Sequence, residues 1–336
     1  MAWCDSPKMT YERCCDIITI TVAPKPTHSA QIRGLFLYVG EGVVKEPKTL
    51  EEMVQLFKER HLDVSRVANL ERILLDCNYY RLSGYFRAFQ MDPEHAVNEF
   101  RPGTTISDFM VPYLNDKHLR ELVLQGTTTV ELTTRARLAY YLAVSGDGYT
   151  YRVPESYKDR QYGDGSEMRM ALIENINKWI SISSEVCIRH YLHNGEPVPI
   201  WAAVEVLPFD TVSKIISLHA NTKALDQLNQ SLHLGKNRKR AADIIHGMVY
   251  LRNLCSHHCR LWNREMVIVP PVLDRVQEEY RNFAAYEPKS VWQSLIVLCD
   301  LVDGINGNDS YSRRLIDFVQ QDSNYYAGLL RPKRWR

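Results

Sequence analysis

The sequence has no excess of charge of either sign: 41 Lys and Arg stand against 40 Asp and Glu, a formal net charge of +1. That balance excludes recognition of nucleic acid by the summed field of the whole protein. Any grip on a polyanion has to come from a local cluster of cations. The chain also lacks a long hydrophobic run. The longest near the N-terminus, Ile17 to Ala23, contains two threonines, has no basic flank and is too short for a signal peptide or a membrane span. A cytoplasmic protein with no membrane contact is expected. No segment repeats at a fixed period, and the composition has no collagenous or disordered character. The eight cysteines are scattered along a long chain, unlike the dense pattern of small disulfide-stapled domains, so reduced thiols are expected.

What is present is an ordinary globular composition, 45% hydrophobic and 24% charged, in a length that buries one large core or two modest ones. Residues 1–45 differ from the rest. They hold three of the eight cysteines and a β-leaning stretch, Ile17 to Val22, and are predicted to form a small extension, irregular or with short strands. From Thr49 the pattern turns helical, beginning with the capping box Thr49-Leu50-Glu51-Glu52. The spacing of apolar residues predicts further helices over 65–77, 116–144, 167–193, 210–219, 222–232, 239–256, 272–284, 288–303 and 310–320. Gly126 and three threonines mark a place where the long one could bend. An aromatic segment, Asn78 to Phe86, precedes a loop around Pro93 to Gly103, and Gly146 to Gly165 reads as a second loop. No strand alternation follows residue 45. The expected fold class is all-α: one helical domain, 46–336, after the extension 1–45.

The densest group of chemically capable side chains runs from Arg252 to Arg264, at the end of an apolar helix containing Ile244, Ile245, Met248, Val249 and Leu251. Arg252 and His257 form the candidate catalytic pair. An imidazole near its own pKa takes a proton from a ribose 2′-hydroxyl or gives one to the leaving 5′-oxygen. A guanidinium stays charged and stabilises the charge that builds on the phosphate. The ribose supplies the nucleophile, so neither a metal nor a cofactor is required, and the substrate is restricted to RNA. On a continuing helix the two side chains would diverge. They converge only if the helix ends or tightens near Cys255–Ser256.

Other residues carry two readings each. His258 lies at a similar spacing from Arg252. Asn253 either orients His257 or a phosphate, or caps a carbonyl. Arg260 and Arg264 are RNA contacts or a solvated face, and Trp262 is a base-stacking platform or, as favoured here, packed in a core or dimer seam. Cys255 and Cys259 with the two histidines between them suggest zinc, but no second knuckle appears and no metal site is expected. The basic run Lys236, Arg238, Lys239 and Arg240 sits where a helix dipole disfavours cations, which points to an external anion such as RNA as readily as to a solvated loop.

The string Arg252-Asn253-x-Cys255-Ser256-His257-His258-x-Arg260-Leu261-Trp262-Asn263-Arg264 resembles the signature of the Abi-like abortive-infection family, D/F branch, within the HEPN superfamily. Asn78-Tyr79-Tyr80-Arg81-Leu82-Ser83-Gly84-Tyr85 resembles that family's N-terminal motif. Pro199-Ile200-Trp201 with Glu205 to Phe209 resembles its central one. Together the motifs cover roughly 46–275 in matching order. Ser256 departs from the family, which more often has Ala, and the extension 1–45 matches nothing in it. The resemblance implies a HEPN-type helical bundle with added helices that acts as a metal-independent endoribonuclease in anti-phage defence. It further implies a homodimer with a composite active site, RNA as substrate and, in some members, a bound noncoding RNA. The alternative is a non-cleaving RNA-binding protein that uses the same pair to grip phosphate.

Overall fold

In the computed structural model, which describes residues 46–65, 70–280 and 285–333, the first helix starts where its capping box places it. The Thr49 hydroxyl accepts from the Glu52 N–H at 3.2 Å, and the Glu52 carboxylate accepts from the Thr49 N–H at 2.7 Å. This helix, α1 (Leu50–Glu59), buries Phe57. It is followed by α2 (Leu70–Cys77) and α3 (Tyr79–Phe86). The aromatic segment is thus a helix, capped by Asn78, whose side chain accepts from the Tyr80 N–H at 2.9 Å. Its rings explain the composition: Phe86 meets Phe57 and Phe109 edge-on, and Tyr79 stacks on Phe57.

Two strands, β1 (Gln90–Asp92) and β2 (Val97–Phe100), pair antiparallel with Gln90 opposite Phe100. This corrects the expectation of a loop around Pro93 to Gly103 and of no strands after residue 45. Strands of three and four residues are too short for alternation to register. The expected strands of residues 17–22 lie outside the described residues.

The spine is α4 (Ile106–Leu142), which begins ten residues before the expected start. Pro112 sits inside it, a residue that normally interrupts a helix, while Thr105 and Asp108 cap its start. The helix runs unbroken through Gly126. That glycine serves close approach: a Cβ there would lie 2.2 Å from the Tyr311 hydroxyl, which donates to the Leu122 carbonyl at 3.0 Å.

The expected helix over 167–193 is two, α5 (Met168–Ile182) and α6 (Val186–His193), separated where Ser183 turns extended. Then come α7 (Ile200–Val206), α8 (Phe209–Leu218), α9 (Thr222–Ser231) and α10 (Arg238–Ser256). The described chain closes with α11 (Asp274–Glu279), α12 (Val291–Asn306), α13 (Ser310–Gln320) and α14 (Ser323–Leu330). α4 packs against α3, α7, α9, α10, α12 and α13, and α10 packs against α4, α8 and α12. Lys48–Arg336 forms one compact unit, and the described part is all-α apart from the hairpin. None of its helices is long and apolar enough to cross a membrane.

One core residue ties stability to pH. His219, after α8, is buried; its Nδ1 accepts from the Asn221 N–H at 3.1 Å, and its ring meets Tyr157 edge-on. Burial pushes its pKa below the ordinary histidine value, despite the nearby Asp147. The unfolded chain therefore binds a proton more readily than the folded one. The stability His219 contributes is complete above about pH 6.5 and drains away as pH falls below that. His219→Asn keeps an acceptor for Asn221 but does not titrate. Thermal melts between pH 8 and 5 should show a shallower fall for this variant than for wild type; parallel curves would refute the assignment.

Candidate functional site

Asn237 starts α10 by accepting from the Arg240 N–H at 3.1 Å. The helix then stays regular through Ser256, and the His257 N–H still donates to the Asn253 carbonyl at 3.0 Å. Reversal comes one residue later. The His258 N–H donates to the Cys255 carbonyl and the Cys259 N–H to the Leu254 carbonyl, with His258 at φ 54°. This is a Schellman C-cap in which a histidine occupies the left-handed position usually given to glycine. Arg81 on α3 donates to the His258 carbonyl at 2.7 Å, and Arg120 on α4 to the Cys259 carbonyl at 3.3 Å. The tyrosine-rich motif and the arginine–histidine motif therefore meet at this turn.

The helix does not tighten between Arg252 and His257, so their side chains leave the axis about 140° apart and about 7.5 Å along it. Arg252 Nη1 donates to Asn253 Oδ1 at 3.1 Å. Asn253 lies four residues before His257, on the same helix face. His257 is exposed, and its ring has no hydrogen bond or ion pair among the described residues.

The other side of Arg252 faces α4. Its Nε is 3.5 Å from Glu131 Oε2. Glu131 also receives Arg135, from Nε at 3.2 Å and from Nη2, while Arg135 Nη1 donates to the carbonyls of Val204 and Leu207. Two guanidiniums around one carboxylate leave one unit of positive charge. The Arg135 side chain is 9% exposed and that of Arg252 39%, so Arg252 is the one able to present that charge to a ligand.

Beyond the turn, the chain is fastened by Asp116 of α4, a fully buried carboxylate that sequence reading does not single out. It accepts from the hydroxyls of Tyr85 and Tyr325, both at 2.7 Å, and from the backbone N–H groups of Leu261 and Trp262, at 2.7 and 3.0 Å. Complete burial pushes its pKa up, and these donors pull it back towards the charged form. Trp262 is core: it stacks on Tyr85 and Phe89, and a Cβ at Gly328 would lie 2.2 Å from its Nε1. Arg260 donates to the carbonyls of Trp262 and Asn263 at 2.9 and 3.3 Å, and burial holds its guanidinium pKa down. Gly84 lies against it, with a Cβ there 3.4 Å from the Arg260 side chain. Arg264 Nε donates to the Arg260 carbonyl. Arg260 and Arg264 thus serve the backbone around the turn. Cys255 packs in the core, its thiol pushed up by burial, while His257 lies on the exposed face.

The basic run divides. Arg238 Nη1 contacts both carboxylate oxygens of Asp226, at 3.0 and 2.9 Å, and Arg240 is held by the Val272 carbonyl and, at 3.2 Å, by Asp274. Lys236 and Lys239 are exposed and have no ion pair among the described residues.

Two outcomes follow. Asp116→Asn turns an acceptor into a donor against four donors and should lower unfolding stability by about 3 kcal/mol in urea titrations. A loss below about 1 kcal/mol would show that the cluster is dispensable. His258→Gly relieves the left-handed strain and should leave stability equal or raised by up to about 1 kcal/mol. A clear loss of stability would show instead that the His258 side chain holds the turn.

Residues 72–263, from α2 through the turn after α10, match the family of Abi-like proteins, and the span contains Arg81, Gly84, Asp116, Glu131, Arg252 and His257. No curated protein and no solved structure gives a significant match. With more than half of its length inside that match, the chain belongs to the Abi-like protein family.

Proposed function

We propose that the protein is a metal-independent endoribonuclease of the HEPN type, acting in a bacterial abortive-infection system. The observation that carries this reading is the Arg252 guanidinium, with a unit of uncompensated charge around it, hydrogen-bonded to Asn253, which shares its helix face with His257. In the reaction the substrate's 2′-oxygen attacks phosphorus, the bond to the 5′-oxygen breaks, and a 2′,3′-cyclic phosphate and a 5′-hydroxyl result. His257 moves the proton at one of these oxygens and Arg252 stabilises the phosphorane charge. Glu131 is a positioning residue, because it aims Arg252 through Nε and, with Nη1 on Asn253, leaves Nη2 to a phosphate.

A homodimer with a composite cleft belongs to the same proposal, since one imidazole serves one proton transfer and a second copy supplies another. The solvent-facing residues of the C-terminal half of α4, Gln125, Thr128, Leu132, Ala136 and Tyr140, carry no charge. Thr128 lies three residues before Glu131 and so neighbours it on the helix surface. An uncharged stripe is self-complementary across a two-fold axis.

The test is incubation of purified protein with total RNA in chelator, followed by analysis of the new ends. Wild type should leave cyclic phosphates. Arg252→Ala and His257→Ala should each cut at least about 100-fold more slowly. Mixing the two variants should restore part of the activity if one cleft draws on two copies. Intact RNA, bound with steep salt dependence, would instead support a non-cleaving RNA-binding protein.

A further inference from the structure

The exposed line of α10 is unlike an ordinary solvated helix face. Asp243 and His246 are exposed, Tyr250 and Asn253 half-buried, and together with Lys239 and His257 they recur at spacings of four and three, so all six point the same way. Most of the intervening positions are core: Ile244, Ile245, Met248, Val249, Leu251 and Leu254 are buried. A solvated face of this length normally carries paired Lys and Glu. Here its middle holds an imidazole, a phenol and an amide. The side chains of His246 and Tyr250 make no hydrogen bond or ion pair among the described residues, and the Asn253 amide nitrogen has none either.

The two ends of the line differ in the same sense. At one is the Arg252–His257 site. At the other a groove of about 940 Å³ is lined by His233, Lys236, Lys239 and the already paired Arg238 and Arg275. With Arg238 on Asp226 and Arg275 on Asp300, the uncompensated charge of the groove is that of Lys236 and Lys239. Lys239 and His257 are separated by about 27 Å along the helix.

We propose that this face is the track of an extended single-stranded RNA. Its scissile phosphate sits at Arg252, its flanking bases lie against Tyr250, Asn253 and His246, and its more distant phosphates meet Lys236 and Lys239. The inference rests on the nuclease reading for the position of the cut, but the track itself is a matter of binding. Cations at both ends hold phosphates, and the planar and amide groups between them match bases that are unstacked and accessible. Asp243, the one carboxylate on the line, keeps the phosphate backbone off the middle stretch. A duplex hides its base faces and cannot use Tyr250 in this way.

The experiment is fluorescence anisotropy with the full chain and cleavage-resistant 2′-O-methyl oligonucleotides of 3, 6, 9 and 12 nucleotides, with a 12-base-pair duplex as control. Affinity should climb with length until the strand spans the face. Tyr250→Ala should weaken the 12-mer about tenfold, and Tyr250→Phe, which keeps the ring, should restore binding. Lys236→Gln with Lys239→Gln should lower the slope of log affinity against log salt by about 1.4, roughly 0.7 for each lost phosphate contact. Equal affinity for 3-mer and 12-mer, or variants that bind the 12-mer like wild type, would overturn the track. Cleavage assayed in parallel separates the two claims. Length-dependent binding without cleavage refutes the nuclease and leaves the track standing, whereas cleavage untouched by the Tyr250 and lysine variants does the reverse.

Discussion

A carboxylate with no access to water holds the site together. Asp116 draws on four separate parts of the chain: α3 through Tyr85, α4 on which it sits, the strand of backbone after the arginine–histidine turn, and α14 through Tyr325. Burying a charge costs far more than any one hydrogen bond returns, so it persists only where several donors converge on both oxygens. That convergence sets the position of Leu261 and Trp262, and through them the direction in which the chain leaves His257. The neighbouring cations do related work on carbonyls: Arg81, Arg120 and Arg260 each satisfy backbone oxygens that the reversal would otherwise strand.

Much of the architecture was legible in the sequence because long amphipathic helices declare themselves by period. The helices that became α8, α9, α10, α12 and α13 were placed to within a few residues. What escaped were α3, α7 and α14, of seven or eight residues, whose two turns hold too few apolar positions to show a period. The hairpin escaped for the same reason, and the early start of α4 was hidden by Pro112. Each of these is stabilised by tertiary contacts rather than by local preference.

The site divides along the same line. Arg252 and His257 stand out because their side-chain types and the motif around them point to chemistry without reference to the fold. Asp116 does not, since most of its donors lie far along the chain, 145 and 146 residues away at Leu261 and Trp262 and 209 at Tyr325. Asn253 was visible as a candidate with two uses, and the structure shows its side-chain oxygen accepting from Arg252. The basic run shows the limit of reading charge from sequence. Its four cations look alike in a row, yet two are committed to carboxylates and carbonyls, and only Lys236 and Lys239 are left to meet a partner.

The Tyr325 hydroxyl and the Gly328 surface under Trp262 both belong to α14, some sixty residues beyond the end of the family match. A growing chain therefore exposes Arg252 and His257 well before it can seat them. At a synthesis rate of about 5–20 residues per second, that interval lasts several seconds. During it the nascent polypeptide carries the chemistry-bearing motif without the clamp that shapes it. Final assembly is deferred until α14 has been made, a built-in delay between having the arginine–histidine motif and having it held in its folded place.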